Sequence, residues 1–238
     1  MHLLELFCAR PTLCATFGRK KQLLDFFNPP IRRLILLMSS NTPAGQLVGL
    51  KEYLATHDAH SVFDDALASE ALWNFHVHPA RVISARLTGV ETYDVTVTPE
   101  GGEPERLHKH DIHFLYAAGQ AAAVAKLVKP DSSVQAVGLQ PTIFSAERQF
   151  VKNKTLFPLM QERVVVFFTL RDGSVIRGLI TGFSRYDIHV SMKGGATVTL
   201  LRHSLYDIRD KDGRCYLKAV QEKRKDWEKS SVFVVPTA

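Results

Sequence analysis

The fold class predicted for this 238-residue chain is mainly β with α. Two tandem small modules are expected, each an N-terminal helix followed by a strongly bent five-stranded antiparallel sheet of the SH3-like barrel kind. Three observations predict it. The chain contains a gapless internal repeat, its apolar residues fall in short β-branched and aromatic runs separated by tight-turn residues, and its length suits two small cores better than one.

The repeat is the most informative feature. Thr88, Gly89, Tyr93, Asp94, Val97, Gly101, Gly102, Leu107 and His110 recur, each 93 positions later, as Thr181, Gly182, Tyr186, Asp187, Val190, Gly194, Gly195, Leu200 and His203. Conservative pairs at the same offset extend it: Phe75 with Phe168, Val82 with Val175, Val95 with Ile188, Lys109 with Arg202, and Leu115 with Ile208. A constant offset across turns and strands alike means that one supersecondary unit occurs twice.

In the second copy, Val164 to Leu170 is an extended run, Asp172-Gly173 is a hairpin-turn pair, and Val175 to Phe183 resumes the extended pattern. A third strand over Asp187 to Met192 meets Gly194-Gly195 and returns as Thr197 to Leu201, and Leu205 to Arg209 supplies a fifth. Gly178 and Gly182 fall where a strand must bend or be approached closely. The first copy pairs Leu72 to Val77 with Arg81 to Leu87 around Pro79-Ala80, a less regular turn. Helical patterns over Val48 to Leu67 and Glu147 to Met160 precede the two sheets, the second shortened by Pro158. The Ala-rich stretch from Ala117 to Lys129 reads as a helix ending before Pro130, Asp131 to Pro141 as linker, and Tyr216 to Lys229 as a charged helix. The resulting division is an extension over 1–45, a first domain over 46–129, a linker over 130–146, a second domain over 147–218 and a tail over 219–238.

Composition bounds the function. Hydrophobic residues at 45% with charged residues at 23% exclude a disordered or fibrous chain. A net charge of +6, with ten histidines in reserve, favours an acidic partner. Cys8, Cys14 and Cys215 have neither metal-site spacing nor disulfide-scaffold density, so a reducing cytoplasm is expected, and no apolar run approaches the length of a transmembrane helix. The first 37 residues set six basic side chains (Arg10, Arg19, Lys20, Lys21, Arg32, Arg33) against Glu5 and Asp25 without a clear period. A transit segment would have this composition, but a start at Met38, leaving the upstream residues poorly ordered, is the preferred reading.

In the second copy, Glu162-Arg163-Val164, Asp172-Gly173, Gly178, Ile180, Phe183, Tyr186 and Arg202-His203-Ser204-Leu205 resemble the pattern of bacterial Hfq, an RNA chaperone of the Sm-like superfamily. The resemblance covers about Lys152 to Ile208 closely and Ala68 to Leu115 more weakly. It implies two Hfq-related modules that bind single-stranded, U-rich RNA on one ring face and so act in post-transcriptional regulation. Carried over residue by residue, the RNA-binding set is Tyr93, Lys109, His110, Arg185, Tyr186, Arg202 and His203. The aromatics would stack unpaired bases, the cations would neutralise phosphate, and the histidines would bond base or ribose edges. Thr169, Ser174 and Val175, with His76, Arg81 and Val82 in the first copy, depart from the family's purine-binding face, which argues against an A-rich site. The resemblance also implies head-to-tail self-association into a ring, three two-module chains forming a pseudo-hexamer.

Two other readings compete. His76 and His78 alternate on one strand and His108 and His110 on another, with His113 following, so a metal site is conceivable. Against it, the second copy has Thr169, Arg171, Leu201 and Tyr206 at four of those positions, and no acidic or thiol ligand completes the set. A ring scaffold for protein interactions, with little RNA affinity, is the other. No nucleophile elbow, phosphate loop or paired-carboxylate signature is present, so neither catalysis nor a cofactor is expected.

Overall fold

The computed structural model of the chain describes residues 47–144 and 148–217, all within the unit Gly45–Ala238. The expectations for the extreme N-terminal region and for a helix beyond Tyr216 fall largely or wholly outside the described residues. The described chain runs α1 (Leu50–His57), α2 (Val62–Ser69), β1 (Leu72–Val77), β2 (Arg81–Val90), β3 (Asp94–Pro99), β4 (Glu105–His108) and β5 (Ile112–Ala117). It continues with α3 (Ala121–Leu127), β6 (Lys129–Pro130), α4 (Ser132–Gln135), α5 (Asn153–Gln161), β7 (Val165–Leu170), β8 (Ser174–Phe183), β9 (Asp187–Ser191), β10 (Thr197–Leu201) and β11 (Leu205–Asp210).

The fold is mainly antiparallel β with helices, as expected, but the sheets are not separate. All eleven strands form one sheet in the order β11-β7-β8-β9-β10-β5-β1-β2-β3-β4, with β6 paired to β8. Each repeat contributes five strands in the same internal order, and the join is β10 against β5, with Thr199 opposite Leu115 and Leu200 opposite Phe114. The composition of β5 explains the fusion. Its residues Ile112, Phe114, Leu115 and Tyr116 are apolar on both faces, so an edge position would leave one face in water. In the joined sheet, Ile112 and Leu115 enter the core of the first half while Phe114 and Tyr116 enter that of the second. Leu201 crosses the other way, into the first core.

Local chemistry sets the remaining elements. Gly173 takes φ 81° in the β7–β8 turn, where Ser174 N–H donates to Asp172 Oδ1 at 2.9 Å. The first hairpin instead turns through a cis His78–Pro79 bond and Ala80 at φ 116°. A register shift falls beside Gly89 in one copy and beside Gly182 in the other, 93 residues apart; these bulges bend the long strands β2 and β8 at matching points.

The helical expectations need three corrections. The Val48 to Leu67 pattern is two helices: Ser61 caps α2, its hydroxyl accepting from Phe63 N–H, and the two acids Asp64 and Asp65 suit the helix N-terminus. Only α2 packs on the first half; α1 lies on the second, with Leu50, Tyr53 and Leu54 against its core. The second helix is shorter than Glu147 to Met160, but at its start: α5 begins at Asn153, and Pro158 is held inside it. The linker is also structured, since β6 pairs with β8 and Asp131 N–H donates to Gly173 O at 2.7 Å. No described helix is long and apolar enough to cross a membrane.

Candidate nucleic-acid interface

Tyr93 and Tyr186 occupy equivalent tight turns, between β2 and β3 and between β8 and β9. In the first, Glu91 N–H donates to Asp94 O at 2.9 Å; in the second, Ser184 N–H donates to Asp187 O at 3.0 Å. Closing the turn through its flanks pushes the tyrosines out, and they are 66% and 51% exposed. Each tyrosine carbonyl accepts from the backbone N–H of the basic residue expected beside it, Lys109 at 2.8 Å and Arg202 at 2.9 Å. The two tyrosines and the two basic-His pairs are therefore brought together as the repeat implies.

The side chains of those pairs differ from the expectation. Lys109 Nζ donates to the carbonyls of Glu91 and Thr92 at 2.5 and 3.3 Å and lies 5.4 Å over the Phe63 ring; its partial burial lowers its pKa. Arg202 is buried, at 6% exposure. Its guanidinium donates to Val151 O and Asn153 Oδ1, and desolvation pulls its pKa down to about 10, opposed by Asp187, Asp58 and Tyr53. Arg202 thus fixes the chain entering α5 and presents no guanidinium at the surface. Arg185 is at the surface but binds Asp58 Oδ2 through Nε and Nη2 at 2.9 and 2.6 Å, 5.9 Å from the Tyr186 ring.

His110 and His203 meet edge to face, their centroids 5.1 Å apart, across the β10–β5 join. His203 Nε2–H donates to Ile112 O at 2.9 Å. Burial pushes its pKa down to about 3. His110 Nε2 accepts from Arg148 Nη2 at 2.7 Å, and burial again lowers its pKa, with Arg148 adding to the effect. Both imidazoles are neutral at pH 7 and supply no charge to a phosphate; His203 Nε2 is used on Ile112 O, and His110 has its Nε2 on Arg148 and its Nδ1 buried without a partner.

Three contributors were missed by the sequence reading. Tyr53 accepts Phe183 N–H at 2.7 Å and donates to Phe183 O at 2.9 Å. Asp58 binds Arg185, and Arg148 joins the histidine cluster. Tyr53 and Asp58 find their partners well over a hundred residues away, Arg148 lies between the two copies, and the positions 93 away from all three carry no matching residue, so the repeat could not flag them.

The histidines weighed as metal ligands do not converge. His76 stacks on Phe114 with centroids 3.8 Å apart and bonds Tyr116 Oη at 3.2 Å; burial takes its pKa to about 4. His78 pairs with His113 and His108 with His110, as separate couples. Among the described residues no group of three or more His, Cys, Asp or Glu is placed to hold a metal ion. On the departed purine face, Arg81 is paired with Glu105, Thr169 is buried and Val82 is exposed. Compared with known proteins, the chain is matched by no protein-family model, no curated protein and no solved structure.

Proposed function

We propose that the chain is a single-stranded RNA-binding protein built from two Sm-like, Hfq-related modules, with its base contacts at Tyr93 and Tyr186. The observation that carries this is the pair of exposed tyrosines on repeat-related turns, each hydrogen-bonded through its carbonyl to the basic residue of a basic-His pair. An exposed aromatic face stacks any unpaired base. In this reading Lys109 and Arg185 stand beside the stacked base, and His110, Arg202 and His203 hold the surrounding structure. The module assignment draws support from the same order of one helix and five strands in both halves, the second strand bulged at the matching point. Head-to-tail self-association belongs to the same proposal. The outermost strands β4 and β11 are the repeat partners of β10 and β5, the strands already joined within the chain, so three chains would complete a ring of six halves.

The test is binding of labelled oligo(U), oligo(A) and duplex DNA across a salt series, with Tyr93→Ala and Tyr186→Ala combined. Stacking is worth about 1–3 kcal/mol per base, so the double variant should lose single-strand affinity by about tenfold or more. Unchanged affinity would remove the tyrosines from the site. A second reading, a protein-interaction scaffold, is favoured by one observation: Arg185, Arg202 and Lys109 all donate to groups of the protein itself. No binding to any of the three nucleic acids would decide for it.

A further inference from the structure

The edge strand β11 is not bare. After Asp210 the chain turns through Gly213, at φ 77°, and runs back along β11. Tyr216 N–H donates to Ile208 O at 2.9 Å and Asp210 N–H to Arg214 O at 3.1 Å, with Cys215 bridged to Arg209. Tyr216 and Leu217 then pack on the core of the second half. The repeat shows what this segment displaces. Ile208 corresponds to Leu115, which in β5 lies opposite Thr199 of β10, so residues 214–216 sit on β11 where β10 sits on β5. After β5 itself the chain does the reverse: it leaves the edge, forms α3, and Gln120 clamps the join by accepting Thr197 N–H at 2.6 Å.

The side chains on the two edges differ in the same sense. Phe114 and Tyr116, which β5 inserts into the neighbouring half, are replaced in β11 by Asp207 and Arg209. These form an ion pair that is almost fully buried, and the returning segment completes it: Arg209 Nη1 donates to Gly213 O and Cys215 Sγ to Asp207 Oδ1. Ser204, whose hydroxyl donates to His113 O across the join, corresponds to Asp111, a carboxylate with nothing to donate. On the opposite outer edge, Thr197 corresponds to Pro104, which has no N–H. An open strand edge is a template for another chain unless it is covered or blunted.

We propose that residues 213–217 are a sealing strand that occupies the β11 edge, so that head-to-tail association of this chain requires their release. The gating role rests on the head-to-tail reading given above. The seal governs how far the sheet extends from one chain to the next, and the buried Asp207–Arg209 pair is the feature that makes β11 fit its own C-terminal segment better than a second copy.

Two variants test it in opposite directions, in a Cys8→Ser, Cys14→Ser background. Tyr216→Pro removes the N–H bonded to Ile208 and opens the seal; Arg209→Cys faces Cys215 across the bridge and locks it when oxidised. Sedimentation analysis over a concentration series reads the outcome. Opening should tighten self-association by about tenfold, equivalent to about 1.4 kcal/mol. Oxidised Arg209→Cys should stay monomeric, and the same protein once reduced, having lost the Asp207–Arg209 pair that favours the seal, should associate at least as readily as its parent. If the oxidised protein assembles as readily as the reduced one, the seal is refuted while the head-to-tail reading stands. If every form stays monomeric, the head-to-tail reading fails and the gating role with it.

Discussion

Lowering the pH from about 7 to about 5 should weaken folding through His203. In the unfolded chain its imidazole takes up a proton near pH 6.5; in the fold, burial at the β10–β5 join holds the pKa down to about 3. Between those values only the unfolded state is protonated. The stability is therefore complete above about pH 6.5 and is lost progressively as the pH falls towards 3. Over the interval from about pH 7 to about pH 5 the loss from this one group is about 2 kcal/mol. His203→Gln is the matched control, since an amide N–H can still donate to Ile112 O but does not titrate. Urea unfolding of both proteins at the two pH values should give the parent a pH-dependent loss about 2 kcal/mol larger than the variant's. The lowered pKa values of His76, His110 and His113 act in both proteins and cancel in the comparison. Equal losses would refute the reasoning and place the neutral imidazole of the join elsewhere.

Tyr53→Phe removes the hydroxyl that satisfies both Phe183 N–H and Phe183 O; it should cost about 1–3 kcal/mol in urea unfolding, and a neutral effect would mean that α1 is not anchored there. Gly178→Ala would bring a methyl carbon to 2.4 Å from Val190 Cγ1 and 2.6 Å from Ser191 O. Because the second contact is backbone, a loss above about 2 kcal/mol is expected in the same assay. Gln120→Ala deletes the acceptor for Thr197 N–H and the donor to Thr197 Oγ1; stability should fall by about 1 kcal/mol and the Thr197 amide should exchange faster with solvent.

Within each repeat much was legible from local pattern. The second copy's strands fall within a residue or so of the expected spans, because Asp172-Gly173, Gly194-Gly195 and the alternating apolar runs are signals that a strand and its turn carry by themselves. Lys109 and Arg202 show the limit of that legibility. They are equivalent in sequence and in backbone, yet one side chain folds back over carbonyls beside Phe63 and the other is buried at the start of α5. Their surroundings come from α2 and from Val151 and Asn153, and those positions are not part of the repeating pattern.

By itself, the sequence determined that one β unit occurs twice, where its strands turn, and which residues share an equivalent place in each copy, since all of these depend on chemistry within a few residues. Only the tertiary structure decided that the copies fuse through β10 and β5 into one sheet, that α1 crosses to the second half, and that β11 is covered by the chain's own return. Those outcomes turn on which apolar faces and unpaired backbone groups can be buried together, a competition among segments distant in sequence that no local pattern records.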